Sequence, residues 1–416
     1  MKLNLVIDAS GIFYRSLYTV GNFGTKKNEK LLSSEKSQAV FMRKLATDFS
    51  ALVKSVDNVN RVIVCLDSSS WRKQIPIEHG GYKSGRKKGK EESNVDWDSF
   101  FSVTQEFTDI LASHGYIMSR IKDAEADDLL FLWSRKLNSM GESVIMVTGD
   151  KDLLQVIDLH ENGSWTVSLD PVSQRRKVSL SQDIYDICRR EVSSEDVDLF
   201  DPSTWDSSPG DVLFSLVDKN DVQIVDPIKV ATMKVLNGDG GDSVPGIVSW
   251  LAEDKHGEQV IRSLSETKVL KAIEDLPPFT WRDLANGAHL ETLTENLIKV
   301  SKKDLTPEEV KKTIDRNISL VVLENEIIPK SIQDSFRELV ETVESSPVHL
   351  SRNAILEGTK WWTTTNDYAP KGFDFTVEDE ETKSTSELSE EDKKALEKSI
   401  ADIRAGINRK GSTALF

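Results

Sequence analysis

Cysteine is nearly absent from this chain, with two residues in 416, Cys65 and Cys188. That excludes a disulfide framework, and Cys65, inside an apolar run, reads as a small core residue. Histidine is scarce as well, at six residues, and no Cys/His group shows zinc-ligand spacing. No apolar stretch approaches the ~20 residues that span a bilayer. The first apolar run is too short for a signal peptide, being interrupted at Asp8. There is no G-x-x-x-x-G-K-[ST] loop, which argues against a P-loop NTPase. Positive charge is in deficit too: 53 Lys and Arg against 69 Asp and Glu leave a net charge of −16. At first sight that is wrong for a protein that grips phosphates. What remains is a soluble protein, 38% hydrophobic and 29% charged, long enough for two or three domains and expected in the cytoplasm.

What the chain does contain is acid at the ends of its hydrophobic runs. The runs are Leu3-Asn4-Leu5-Val6-Ile7-Asp8, Val62-Ile63-Val64-Cys65-Leu66-Asp67 and Val144-Ile145-Met146-Val147-Thr148-Gly149-Asp150-Lys151-Asp152. Two further clusters are Glu125-Ala126-Asp127-Asp128 and Gly238-Asp239-Gly240-Gly241-Asp242. An acid at a strand's end lies outside the carboxyl edge, where open α/β sheets carry their chemistry. A lone aspartate there is as readily a helix cap or turn former; five such segments are harder to explain that way. Converging carboxylates repel one another unless cations join them, and an all-oxygen donor set suits Mg²⁺ or Mn²⁺. Glu125 and Asp128, three residues apart, share a helix face while Asp127 points elsewhere, so one helix end can serve more than one ion. Asp150 and Asp152 alternate around Lys151 and can bridge neighbouring ions. Two hard cations about 3.5–4 Å apart activate a water and stabilise a leaving oxygen in phosphodiester hydrolysis. Phosphatases use similar donors, so the residues alone reach metal-dependent phosphoryl chemistry and no further.

Residues 1–190 read as a parallel α/β domain, because its strands are nearly continuously apolar and alternate with helices. Helices are expected over Ser37–Val56, over Phe100–His114, and from the acidic cluster onward with Asp123 as its cap. A polar, basic interval, 68–94, interrupts this domain. Residues 191–226 turn acidic and read as an insertion or elaborated loop; 227–342 are a more helical lobe, and 343–373 an irregular connector. Residues 374–416 are an acidic, disordered linker followed by a short amphipathic helix.

Three segments carry a resemblance. Glu125-Ala126-Asp127-Asp128-Leu129, Thr148-Gly149-Asp150-Lys151-Asp152-Leu153-Leu154-Gln155 and Gly238-Asp239-Gly240-Gly241-Asp242-Ser243-Val244-Pro245-Gly246-Ile247 closely resemble motifs of the flap endonuclease / 5′→3′ exonuclease family. The order and spacing from Asp8 through Asp67 match as well, and the bacteriophage-type ribonuclease H nucleases are the nearest flavour. The resemblance covers residues 1–340. It implies a PIN-like parallel-sheet nuclease core with a helical arch and a smaller helix–turn–helix lobe, acting on 5′ flaps, nicked DNA and RNA primers in RNA–DNA duplexes. It also implies two Mg²⁺ per site, replaceable by Mn²⁺, and host cytoplasm if the chain is phage-encoded. Asp8, Asp67, Glu125, Asp127 and Asp150 would serve the first metal, and Asp150, Asp152, Asp239 and Asp242 the second; Asp128 matches the motif as a ligand or a ligand's neighbour.

By the same resemblance the basic interval begins the arch that a 5′ strand passes. Lys83 and Arg86 would neutralise the scissile phosphate, Tyr82 would stack on a base, and Arg15, Arg72 and Lys73 would meet DNA. The turn at Gly246 would hold duplex DNA by backbone amides, with a monovalent cation nearby. The pattern lapses after Ile247: relatives have a Gly-x-Lys turn into a second helix, whereas this chain has Val248-Ser249-Trp250-Leu251-Ala252-Glu253-Asp254-Lys255-His256-Gly257. It returns at Arg316-Asn317-Ile318-Ser319-Leu320-Val321, expected to pack the lobe on the core. The apolar terminus Thr413-Ala414-Leu415-Phe416 would dock on a sliding clamp or single-strand-binding protein, and the chain would act as a monomer away from membranes. Two other readings stand beside this one, a PIN-type ribonuclease and a catalytically silent DNA-junction binding protein.

Overall fold

The first strand, β1 (Leu3–Asp8), runs parallel to β2 (Val59–Cys65) on one side and to β4 (Ser143–Val147) on the other. Beyond their polar early residues (Asn4, Asn60, Arg61 and Ser143) all three are apolar and buried on both faces, which explains why their sequences do not alternate there. In this computed structural model the described residues are 2–345 apart from 21–28, 55, 57–58, 79, 172–176, 189–221, 256 and 258. Met1–Tyr368 forms one compact unit and Ala369–Phe416 another, and everything described belongs to the first. The expected tail, the connector from residue 346 onward and most of the insertion fall outside the described residues.

The sheet order is β3-β2-β1-β4-β6-β7-β8, with β3 Ile117–Ser119, β6 Trp165–Asp170, β7 Lys177–Leu180 and β8 Val222–Ile224; β5 (Asp158–Leu159) pairs with β6. Pairing is parallel from β3 to β6, β7 turns antiparallel, and β8 runs parallel to β7. The last residues of the expected insertion are thus a sheet strand. Helices α1 (Ala9–Val20), α2 (Glu35–Lys54) and α4 (Trp97–Ser113) interlock through Phe13, Phe49 and Phe107, whose ring centroids lie 5.1–6.2 Å apart. The short α3 (Gly85–Glu92) lies in the basic interval, and α6 (Gln182–Cys188) follows β7. Helix α5 (Ala126–Ser139) is capped by Glu125 and Asp128 as a reciprocal box, not by Asp123. Asp123 stands two residues too early, at φ 63, and accepts from the Ser69 hydroxyl. Among the described residues no helix is long and apolar enough to cross a membrane.

A second core gathers α7 (Pro227–Asn237), α8 (Glu266–Ile273), α9 (Trp281–Ala285), α10 (Leu290–Ser301) and α11 (Pro307–Val321) around Val235, Leu284, Leu293, Leu297 and Ile314. Two features differ from expectation. After the turn at 238–247 comes an antiparallel hairpin, β9 (Ser249–Glu253) with β10 (Gln259–Ser263), so no second helix follows the turn directly. Alternating Ser-Trp-Leu-Ala-Glu suits a half-buried strand, and it lacks a helical stripe. The final helix of the expected lobe, α12 (Lys330–Ser345), packs instead on the sheet's core, where Phe336 meets Trp133 edge-on at 5.0 Å.

Backbone geometry explains the glycine that opens the turn. Gly238 sits at φ 69, ψ −164, a region essentially restricted to glycine. A Cβ there would stand 2.4 Å from the Val244 carbonyl oxygen. Because the obstacle is backbone, Gly238→Ala is expected to cost about 3 kcal/mol of stability or more, read as a lowered urea midpoint. An unchanged midpoint would mean the turn is built differently.

Candidate active site

The carboxyl ends of β1, β2 and β4 lie side by side, and that register delivers the acids to one edge. Asp8 ends β1, where the Gly11 amide donates to Oδ1 at 3.2 Å and the Thr148 hydroxyl to Oδ2 at 3.3 Å. Asp67, just past β2, accepts from the Ala126 amide at 2.9 Å, which ties it to the first turn of α5. Asp150 caps the 3₁₀ turn Lys151–Val156, accepting from the Asp152 amide at 2.9 Å. Burial, reinforced by Asp67 and Asp150, pushes the Asp8 carboxyl up to about 6. Burial and then Asp150 and Asp8 raise Asp127 well above the carboxylate range. Like charges therefore crowd this edge, Asp67 and Asp150 acting on Asp8, and Asp150 and Asp8 on Asp127.

A second group lies where the turn of the helical lobe meets the sheet edge. Asp127, Asp152, Asp239 and Asp242 line one cleft with Tyr82 and Gln155. Cations hold this group together. Lys83 pairs with Glu125 and stands 3.5 Å from Asp242, and Arg86 pairs with Asp242. Burial alone would raise Glu125, but Lys83 and Arg72 hold it below the ordinary value. Burial and Asp150 push Asp152 up to about 7, whereas Lys234 brings Asp239 down to about 2 against the effect of burial. The Lys234 ammonium pairs with Asp152 and lies 2.8 Å from Asp239 Oδ2. Sequence reasoning missed Lys234; a lysine one turn before the acidic loop was visible, but not its reach to Asp152.

Several expected roles are corrected by these contacts. Asp128 is fully buried and taken up by Arg72, at 2.7 Å to Nη2 and 3.0 Å to Nη1, and by the Trp71 indole at 3.2 Å. With both oxygens so engaged, it stands here as the partner of Arg72, the second of the two roles the motif allowed it. Arg72 in turn is 2% exposed and also donates to Glu125 and the Leu320 carbonyl, so it cannot meet DNA. Tyr82 is buried, its hydroxyl 2.9 Å from both Glu125 and Asp242, leaving no face for a base. The Gly246 amide donates to the Ser263 hydroxyl at 2.9 Å and is spent within the lobe. Arg15 donates to the Pro171 carbonyl. Lys73, expected to meet DNA, is exposed, as is Arg86 of the pair expected to neutralise the scissile phosphate. Asn317 binds the Val235 and Pro245 carbonyls inside the lobe; the lobe is joined to the core by Arg72 and by Gln155, which meets Val321 and Leu323 at 3.0 Å.

Among the described residues no three Asp, Glu, His or Cys side chains stand so as to hold one ion together. Lys83 and Lys234 account for this on the cleft side, since each draws carboxylates onto an ammonium. The donor chemistry fits hard divalent cations nonetheless: oxygen only, partly buried, and in Asp8 and Asp127 raised by burial and then by repulsion from neighbouring acids, which a cation would relieve.

A mostly parallel sheet with acids along its carboxyl edge and lysines among them is a PIN-like, resolvase-like α/β fold. Residues 3–182 match the family model of the 5′-3′ exonuclease N-terminal, resolvase-like domain. It is 28% identical over 100 residues to ribonuclease H of Enterobacteria phage T4, covering 23% of this chain and 32% of that protein. It is 29% identical over 155 residues to a 5′-3′ exonuclease of Buchnera aphidicola, covering 37% and 48%. The match thus spans about a third of the first relative and about half of the second. A solved complex of the bacteriophage T5 flap endonuclease with DNA and metal ions is similar over 82% of this chain and 100% of that one, at 15% identity and a TM-score of 0.49.

Proposed function

We propose that this protein is a structure-specific, divalent-metal-dependent 5′→3′ nuclease that hydrolyses 5′ flaps, nicked DNA and RNA primers paired with DNA during replication. One observation carries the reading: Asp8, Asp67, Asp127 and Asp150 on the sheet edge and Asp152, Asp239 and Asp242 beside them, with Lys83 and Arg86 among the acids. Mg²⁺ or Mn²⁺ held by these oxygens would activate water and offset charge on the leaving oxygen. The chain's own cations act on the substrate. Lys83 and Arg86 exchange their carboxylate partners for the scissile phosphate, which then takes up the charge they neutralise at rest. Lys83 is poised for this at φ 57, with its amide fixed 2.8 Å from the Asp242 carbonyl oxygen, so the backbone stays while the side chain turns.

A labelled 5′-flap oligonucleotide incubated with Mg²⁺, or with EDTA, tests the reading; the absence of metal-dependent cleavage would sink it. RNA-tipped and DNA-tipped flaps separate primer removal from flap removal. Lys83→Ala is expected to lower turnover about 100-fold with duplex affinity nearly unchanged. An equal loss in affinity with turnover preserved would remove Lys83 from the chemistry. A catalytically silent DNA-junction binder has one observation in its favour, the Lys234 ammonium paired with Asp152 and Asp239. It predicts flap binding in EDTA and no cutting in Mg²⁺.

A further inference from the structure

We propose that Lys234 is an internal counter-cation that keeps the second metal position closed until a substrate phosphate draws its ammonium away. The free protein then takes up one divalent cation readily, and the second only with nucleic acid. This inference rests on the metal-nuclease reading above and adds a regulation of that same site.

The two acid groups differ in one respect that decides the matter. Among the described residues no ammonium or guanidinium is ion-paired with Asp8, Asp67, Asp127 or Asp150, whereas Asp152 and Asp239 share the Lys234 ammonium. Asp239 is anchored by the Gly241 amide at 2.8 Å and the Asp242 amide at 3.3 Å. Asp152 is held by the 3₁₀ turn that Asp150 caps, and Gln155 of that turn is tied to Val321 and Leu323. The carboxylates are therefore the fixed members. Lys234 is the movable one, an ammonium on a flexible four-carbon stem with its side chain 24% exposed. A divalent cation cannot share the same two carboxylates with an ammonium 2.8 Å from one of them without like-charge repulsion at close range. A phosphate, arriving with its own negative charge, gives the ammonium an alternative partner as it leaves. Coupling the second ion to substrate in this way would restrain metal-dependent cleavage until DNA is seated.

Lys234 stands on α7, one turn before the glycine turn, so its stem is aimed across the junction between the helical lobe and the sheet edge. Lys83 holds the neighbouring Glu125 and Asp242 in the same manner. It comes from the basic interval that would meet the strand, however, whereas Lys234 binds two acids of the second position at once.

The test is Mn²⁺ titration of the full chain without DNA, counting free Mn²⁺ by its electron paramagnetic resonance signal. Wild type is expected to bind one equivalent tightly and a second at least about tenfold more weakly. Lys234→Met should tighten the second site about tenfold, and Lys234→Arg, which keeps the charge, should bind as wild type does. Lys234→Gln serves if the methionine variant does not fold by circular dichroism. Two equally tight sites in wild type, or no tightening in the variants, would overturn the counter-cation while leaving the nuclease reading intact if cleavage persists. No Mn²⁺ bound by any form would overturn both.

Discussion

Asp127→Asn is expected to slow flap cleavage about 1,000-fold, the loss of about 4 kcal/mol of charge stabilisation in the transition state, while making the metal-free protein more stable. The two effects have one cause. Asp127 is pressed by burial, by Asp150 and by Asp8, which raise its pKa well above the ordinary 3.8. A carboxyl whose folded pKa is raised contributes stability below its unfolded pKa and loses it as pH rises through the folded value. The variant's advantage should therefore be small near pH 4, where Asp127 is protonated in the folded state and still partly so in the unfolded one, and grow toward pH 8. Thermal melts in EDTA across that range measure it. Because asparagine cannot carry the negative charge that draws a cation, added Mg²⁺ should stabilise the variant less than the parent. A variant less stable than the parent at pH 8 in EDTA would show that these acids do not repel.

Arg72→Met should be the most destabilising single change away from the glycine turn, at about 3–5 kcal/mol, because it leaves charges buried without a partner. Asp128 has no exposure at all and receives two hydrogen bonds from this guanidinium, and Glu125 receives a third. Nε also reaches the Leu320 carbonyl at 3.0 Å, so the same side chain joins the helical lobe to the core. Removing the orphaned acid as well, in Arg72→Met with Asp128→Leu, should recover part of the loss. Urea unfolding reads both. If Arg72 instead contacted DNA, the single variant would keep its midpoint and lose affinity in a salt-dependent manner.

Much of the sheet was legible because it is a local matter. Leu3–Asp8 matches β1 residue for residue, and the runs at 62–67 and 144–152 contain the ends of β2 and β4. Continuous apolarity announced a strand buried on both faces, and the acid after each run announced the edge. The hairpin at 249–263 was half legible. The departure from the family pattern after Ile247 was plain, yet its alternating residues were not read as strands. The 3.6-residue and two-residue periods are hard to tell apart over five positions.

The sequence by itself determined which carboxylates stand at the sheet edge, since each is fixed by the strand or helix end that carries it. Only the tertiary structure decided what the positive residues do. Arg72 and Tyr82 sit in a basic interval that reads as a DNA contact, but Arg72 is neutralised by Glu125 and Asp128, 53 and 56 residues away, and the uncharged Tyr82 hydroxyl is held between Glu125 and Asp242. Lys234, which no local pattern marked, reaches back across the chain to Asp152. An acid at a strand's end is positioned by its own backbone. A lysine or arginine acquires its role from whichever charges the fold brings within a few ångströms of a long side chain, and that choice is not written in any one stretch of sequence.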